Sequence, residues 1–195
     1  VNPVPVVVFV SRKSGTGKTT LLTGVLKCLK ERGYRIGTVK HSFHPIQVDH
    51  EGKDSFRHFD AGAEVTVVSG PGIMATIRRI GAPSMDEICG EASRGVDIVL
   101  IEGFKDLPHP KIEVFRSGFS DQPLAKDGGD RAMGVAAVAS DVPLNLGVPV
   151  LPLDDPEAVC DFIERRFLKR EGREKGETVQ SPEARVQRRR RYDKQ

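Results

Sequence analysis

The sequence predicts an α/β domain in which a mostly parallel sheet is flanked by helices. Val6 to Val10 is a run of β-branched and aromatic residues, the composition of a strand buried on both faces of a parallel sheet. A short loop rich in Gly, Ser and Lys follows it, and a helical pattern then opens at Thr19. A second strand pattern, Tyr34 to Lys40, comes directly after that helix and completes a βαβ unit. The 195 residues suit one domain, over 1–168, with a small β appendage.

The first helix is read from Thr19 to Arg32, because Leu22, Val25, Leu26 and Leu29 recur at helical spacing and Gly33 offers a C-terminal stop. His41 to Gly52 is a polar loop without periodicity. Asp54 to Ala61 returns to helix, with Asp54 or Ser55 available as its cap. Glu64 to Ser69 reads as a strand with Thr66 to Ser69 as its buried centre, and Ile73 to Ile80 as another strand. Ser84 caps a helix running to Arg94, and Gly95 ends it. Val96 to Ile101 is a strongly apolar strand that closes on Glu102 and Gly103. Beyond the proline-stiffened link Leu107 to Pro110, Lys111 to Arg116 alternates apolar and polar residues. That pattern predicts a half-exposed antiparallel strand, and with the Gly- and Asp-rich loop Ser117 to Asp130 it places the β appendage at about 107–133. Gly134 to Ser140 and Val148 to Leu153 are two more core strands. Asp154 and Asp155, with Pro156 in the first turn, start a last helix to about Lys169.

Strand, loop and helix in that order form the setting of a phosphate-binding loop. Gly15 and Gly17 let the backbone curl so that successive N–H groups face a polyanion, and the helix adds its positive end. Lys18 is placed to reach the β- and γ-phosphates, and the Thr19 hydroxyl to hold Mg2+. One position departs from G-x-x-x-x-G-K-[ST]: its first glycine falls on Arg12. The plain alternative is a glycine-containing strand–helix turn that carries a lysine by chance.

Further candidates cluster where a doubly wound sheet would put its carboxyl edge. Glu102, at the tip of a buried strand, is the carboxylate that could orient Mg2+ or its waters, and Gly103 could lend an N–H to a γ-phosphate. Asp49, Lys53, Asp54 and Arg57 crowd one loop and the helix after it, where metal-water or phosphate contacts compete with a helix cap and solvated surface charge. Asp141 could accept hydrogen bonds from the N1 and N2 donors of guanine, or merely form a turn before Pro143. His41 and His44, with His50 in the same loop, are loosely spaced for a metal, and no cysteine lies near them.

Composition bounds the function. No apolar run approaches the length of a membrane span. The start of the chain lacks a basic leader and a small-residue cleavage site, so a cytoplasmic protein is expected. Cys28, Cys89 and Cys160 are far apart, in no C-x-x-C spacing, which favours free thiols in a reducing compartment. The net charge of +3 conceals a basic tail, 169–195, with ten Lys/Arg against five Asp/Glu. It ends in Arg188 to Arg191 and is expected to be disordered. Without interleaved aromatics it gives no platform for nucleic acid.

With these stretches aligned, the chain resembles the MobB family, the GTP-binding adapter proteins of molybdopterin-guanine dinucleotide biosynthesis. The resemblance rests on SGTGKTTLL (Ser14 to Leu22), VKH (Val39 to His41), VD and GKDS (Val48-Asp49, Gly52 to Ser55), AGA (Ala61 to Ala63), DIVLIEGFK (Asp97 to Lys105) and VASDVPLNL (Val138 to Leu146). It spans about Val6 to Phe167 and leaves the basic tail uncovered. It implies a P-loop NTPase fold, a homodimer, GTP and Mg2+ as ligands, and weak GTP hydrolysis. It also implies partnership with the molybdopterin guanylyltransferase and other molybdenum-cofactor proteins, with molybdopterin itself as a further candidate ligand. Carried onto this chain, Ser14, Gly15, Thr16, Gly17, Lys18, Thr19, Thr20 and Gly103 become nucleotide contacts, with Asp141 for guanine. Lys18, Asp54 and Glu102 become the catalytic set, and Thr19, Asp54 and Glu102 the metal set. The sequence offers no evident catalytic glutamine or arginine finger, which fits slow hydrolysis. Two other readings stay open: a P-loop small-molecule kinase or ATP-dependent ligase in which His41, Lys53 and Arg57 grip an anionic substrate, and a metallochaperone GTPase using His41 and His44.

Overall fold

A computed structural model describes residues 3–42, 46–127 and 134–168. They form two compact units. The first holds a six-stranded sheet in the order β2-β5-β1-β6-β7-β8, with every neighbouring pair parallel. Its strands are β1 (Val6–Val10), β2 (Ile36–Lys40), β5 (Ile98–Glu102), β6 (Lys111–Phe115), β7 (Val135–Ser140) and β8 (Val150–Pro152). Its helices are α1 (Lys18–Glu31), α3 (Met85–Ala92) and α4 (Pro156–Phe167), with a 3-10 turn at Leu124–Lys126. The second unit, residues 46–83, holds α2 (Asp54–Asp60) and an antiparallel hairpin of β3 (Val65–Gly70) and β4 (Ile73–Arg78).

The strand period divides the first unit's core in two. Val7, Phe9, Ile98, Leu100, Ile112 and Val114 face α1 and α4, packing on Leu21, Leu22, Val25, Leu29, Val159 and Ile163. Val8, Val10, Val99 and Ile101 face the other side, with Met85, Cys89 and Ala92 of α3 and with Leu124. Helix α3 starts with a reciprocal cap between Ser84 and Glu87, and α4 with an Asp155 side chain accepting from the Ala158 amide. Along the α1–α4 seam Arg32 donates to Glu157, Asp161 and Glu164, three carboxylates that helical spacing lines up on α4. Burial opposes the charge of Arg32, but these bonds hold it protonated far above any ordinary pH.

Gly37 of β2 is required by closeness. A Cβ there would lie 2.0 Å from the Ala92 carbonyl oxygen of α3. Gly37→Ala should therefore cost about 1–3 kcal/mol through forced separation of strand and helix. The urea midpoint should fall with its slope unchanged; a midpoint equal to wild type would refute the close fit.

Three expectations are corrected. Lys111 to Phe115 is neither antiparallel nor half-exposed: β6 lies inside the parallel sheet between β1 and β7, and all five residues are buried. Its polar positions avoid water because the coil after the strand roofs them; both Glu113 carboxylate oxygens accept backbone amides, from Leu124 at 2.6 Å and Ala125 at 3.0 Å. Second, the antiparallel element falls at 65–78 rather than at about 107–133. Third, Thr66 to Ser69 is a strand but no buried centre, since only Thr66 is buried. Ile73 to Ile80 does contain a strand, β4. Residues 169–195, with the Arg188 to Arg191 cluster, lie outside the described residues.

Candidate functional site

The site is built where β1 and β5, adjacent in the sheet, end side by side. From Val10 the chain curls through Ser11 to Gly17, with Gly15 (φ 77°) and Gly17 (φ 97°) both left-handed, a conformation that glycine adopts without strain. Gly17 is the N-cap of α1, and no side chain caps this helix end. The first turn holds no acidic residue, and the first intrahelical amide to bond is Leu21, to the Gly17 carbonyl at 2.9 Å. Unlike α3 and α4, α1 thus presents free N–H groups at its positive end, which an anion can satisfy. Thr16 is 2 % exposed, and its Oγ1 makes no hydrogen bond. Burying a hydroxyl without a partner is costly, and a loop-bound oxyanion would remove that cost.

The Lys18 ammonium folds back over the loop, 2.6 Å from Ser11 Oγ and 3.5 Å from the Lys13 carbonyl oxygen. Partial burial pulls its pKa below the usual lysine value; the charge of Glu102 opposes that, while Lys40 and Lys105 add to it. Glu102 sits 6 % exposed at the end of β5. Its Oε1 accepts from Thr19 Oγ1 at 2.9 Å and from Lys40 Nζ at 2.5 Å. Burial alone would raise this carboxyl. The bonds from Lys40 and Thr19, with the charges of Lys40 and Lys18, outweigh burial and keep it below its ordinary value. A hydroxyl and an ionised carboxylate at that separation, beside a phosphate-binding turn, are the oxygen donors that Mg2+ prefers. The donor set therefore fits the ion, which Thr19 would ligate while Glu102 would hold that ligand or the ion's waters.

Arg12, where the motif has its first glycine, is anchored away from the loop's interior. It donates to the carbonyls of Gln122 (3.1 Å) and Pro123 (3.4 Å) and to the Asp127 carboxylate (2.5 Å). The same coil brings the Phe119 ring to within 3.2 Å of where a Gly15 Cβ would lie. The phosphate loop is thus braced from the β6 side by the segment that Glu113 pins.

The other sequence candidates divide. Gly103 is left-handed (φ 101°), but its N–H is committed to the Phe9 carbonyl at 3.1 Å, so it is no phosphate donor here. Phe104, next to it, takes a positive φ of 54° and stacks on the His41 ring, centroids 4.0 Å apart. His41 is thus an aromatic partner of the turn after Glu102, and His44 lies outside the described residues. Among the described residues no group of three or more His, Cys, Asp or Glu converges as a metal would need. Asp54 belongs to the second unit, where it opens α2 behind Lys53, the N-cap, and pairs with Arg57 at 3.8 Å. Asp141 follows β7, and its carboxylate accepts from the Ser117 amide (2.8 Å) and hydroxyl (3.1 Å). It also borders a cleft of about 400 Å³ at the ends of β7 and β8, together with Ser140, Pro143, Leu153 and Arg116. Arg116 carries no motif signal and was invisible in the sequence.

A strand, a glycine-rich turn, an uncapped helix start and a Thr–Glu pair at the carboxyl edge of a parallel sheet define a P-loop-type α/β protein. Comparison with known families narrows the class. The family model described as molybdopterin guanine dinucleotide synthesis protein B, MobB, matches residues 6–141. The chain belongs to the MobB family.

It is 39 % identical over 177 residues to the molybdopterin-guanine dinucleotide biosynthesis adapter protein of Escherichia coli K12, covering 87 % of this chain and 97 % of that one. The protein of the same description from Haemophilus influenzae is 37 % identical, over 77 % of this chain and 83 % of the relative. The crystal structure of Bacillus subtilis MobB superposes with a TM-score of 0.64 at 27 % identity, over 86 % of this chain and 99 % of the other. No helix among the described residues is long and apolar enough to cross a membrane.

Proposed function

We propose that the protein is a GTP-binding adapter of molybdopterin-guanine dinucleotide biosynthesis. It binds GTP with Mg2+ in the cytoplasm, hydrolyses it weakly and assists the guanylyltransferase and other molybdenum-cofactor proteins. The observation that supports this most is the 2.9 Å bond between Thr19 and Glu102 beneath a phosphate loop in a chain of the MobB family. In this reading Lys18 and the amides of Gly15 to Thr20 hold the phosphates, while Ser14 completes the turn. Thr19 would hold the metal, and Glu102 would fix Thr19 and the metal's waters. Bound Mg2+ supplies charge neutralisation across the phosphate oxygens. Asp141 accepts the guanine donors with the lone pairs that Ser117 leaves unused. A homodimer is part of the proposal, and the exposed apolar side chains of the hairpin, Ile73 and Met74 at 72 % and 71 %, give it surface to cover.

Competitive binding of GTP and ATP with Mg2+, on wild type and Asp141→Ala, tests the reading. GTP preference that the variant abolishes supports both nucleotide and base reader. Preference kept by the variant moves guanine recognition elsewhere. Equal affinity for ATP defeats the GTP assignment and favours a kinase or ligase.

A further inference from the structure

We infer that Arg116 is a nucleotide-binding residue that joins the phosphate loop to the cleft at the ends of β7 and β8 and contacts the α-phosphate. The inference rests on the nucleotide reading above and adds to it a residue that no motif marks. Arg116 directly follows β6, the strand beside β1. Its Nε donates to the Thr16 carbonyl at 3.3 Å, and its Nη2 lies 3.4 Å from where a Gly17 Cβ would stand. The guanidinium therefore lies against the loop's own backbone, at the two residues before Lys18. The same side chain lines the cleft that Ser140, Asp141 and Pro143 border.

Only Nε has a partner; the N–H groups of Nη1 and Nη2 bond to no described residue. A guanidinium held by one edge presents its other donors as a flat fork, the geometry that takes two oxygens of a phosphate. Its neighbour Ser117 is clamped through both amide and hydroxyl by Asp141, so the backbone carrying the fork is fixed from the cleft side as well. Among the described residues that line the cleft, Arg116 is the one cation, beside Asp141 and Asp154. A ligand with phosphates on the loop and its nucleoside in the cleft must pass this cation at the junction of the two, which is the α-phosphate.

The test separates this role from a mere brace for the loop. Affinities of GTP, GDP and inorganic pyrophosphate, each with Mg2+, are measured on wild type, Arg116→Ala and Arg116→Lys. A contact at the α-phosphate predicts that Arg116→Ala weakens GTP and GDP about 10- to 100-fold and pyrophosphate, which fills the loop without an α-phosphate, less than about threefold. Arg116→Lys keeps a charge at the junction and guards against loss of fold; it should recover part of the GTP affinity. Equal losses for GTP and pyrophosphate would reduce Arg116 to a brace and overturn the inference. Unchanged GTP affinity in Arg116→Ala, with tight binding by wild type, overturns it while leaving the nucleotide reading intact. A wild-type protein that binds neither GTP nor ATP overturns both.

Discussion

Lys18→Ala is expected to weaken GTP binding between about 30-fold and about 3,000-fold, the range for removing one partner of a desolvated, hydrogen-bonded charge pair. The ammonium is held in reserve over the loop by Ser11 Oγ and the Lys13 carbonyl, two neutral acceptors that a polyanion outcompetes. Partial burial has already lowered its pKa, so part of the desolvation cost of meeting a phosphate is met during folding. The free protein loses two bonds to neutral acceptors and the attraction of Lys18 for Glu102. It is relieved in turn of the repulsion from Lys40 and Lys105 and of a partly buried charge, so the melting temperature should stay near that of wild type. Calorimetric titration of GTP, with a melt of each protein, checks both halves. A tenfold or smaller loss in a well-folded variant would show that the backbone amides carry the phosphates largely unaided.

Glu113→Ala should be the most damaging of these substitutions to the fold, at about 2–6 kcal/mol, since two amides in the roof over β6 lose their acceptors and each such loss costs about 1–3 kcal/mol. Glu113 is fully buried. Burial pushes its carboxyl above the ordinary value, while the amides of Leu124 and Ala125 and the charge of Arg12 pull against that without cancelling it. The sign for pH follows from proton linkage. A carboxyl with a raised folded pKa binds more protons when folded, so its contribution is fully present below the unfolded pKa. It shrinks as pH rises from about 4.5 through the folded value. The stability of wild type minus that of Glu113→Gln, from urea midpoints at pH 4 to 7, should therefore fall with rising pH. A rise would mean that the two amides dominate over burial.

What the sequence revealed follows from where one residue pattern permits one physical solution. Val6–Val10 followed by Gly15, Gly17, Lys18 and Thr19 satisfies strand, turn and helix requirements together, so β1, the loop and α1 were legible to within a residue or two. Glu102 stood out because it is a carboxylate at the tip of a strongly apolar strand, the carboxyl edge where such folds place polar site residues, and the structure sets Thr19 and Lys40 against it. The β6 strand was misread because alternation of apolar and polar residues indicates water only where the polar face is open; here backbone amides take water's place at Glu113. The hairpin was misplaced because β-branched residues read alike in a buried strand and in an exposed one, and Val67 and Val68 are exposed. Arg116 could not be found, since an arginine after a strand acquires meaning only from the loop that folds against it.

The sheet order sets a schedule for the making of the site. The phosphate loop is synthesised before both strands that flank β1, which among the described residues pairs with Val99–Glu102 and Lys111–Glu113. Both neighbours emerge about a hundred residues later, several seconds behind at ordinary elongation rates of roughly 5–20 residues per second. Until then the loop has no sheet edge to spring from, and Thr19 has no Glu102. Competence to hold a ligand thus waits for β5 and β6, and an unfinished chain ending before β5 would carry the whole glycine-lysine motif without a site.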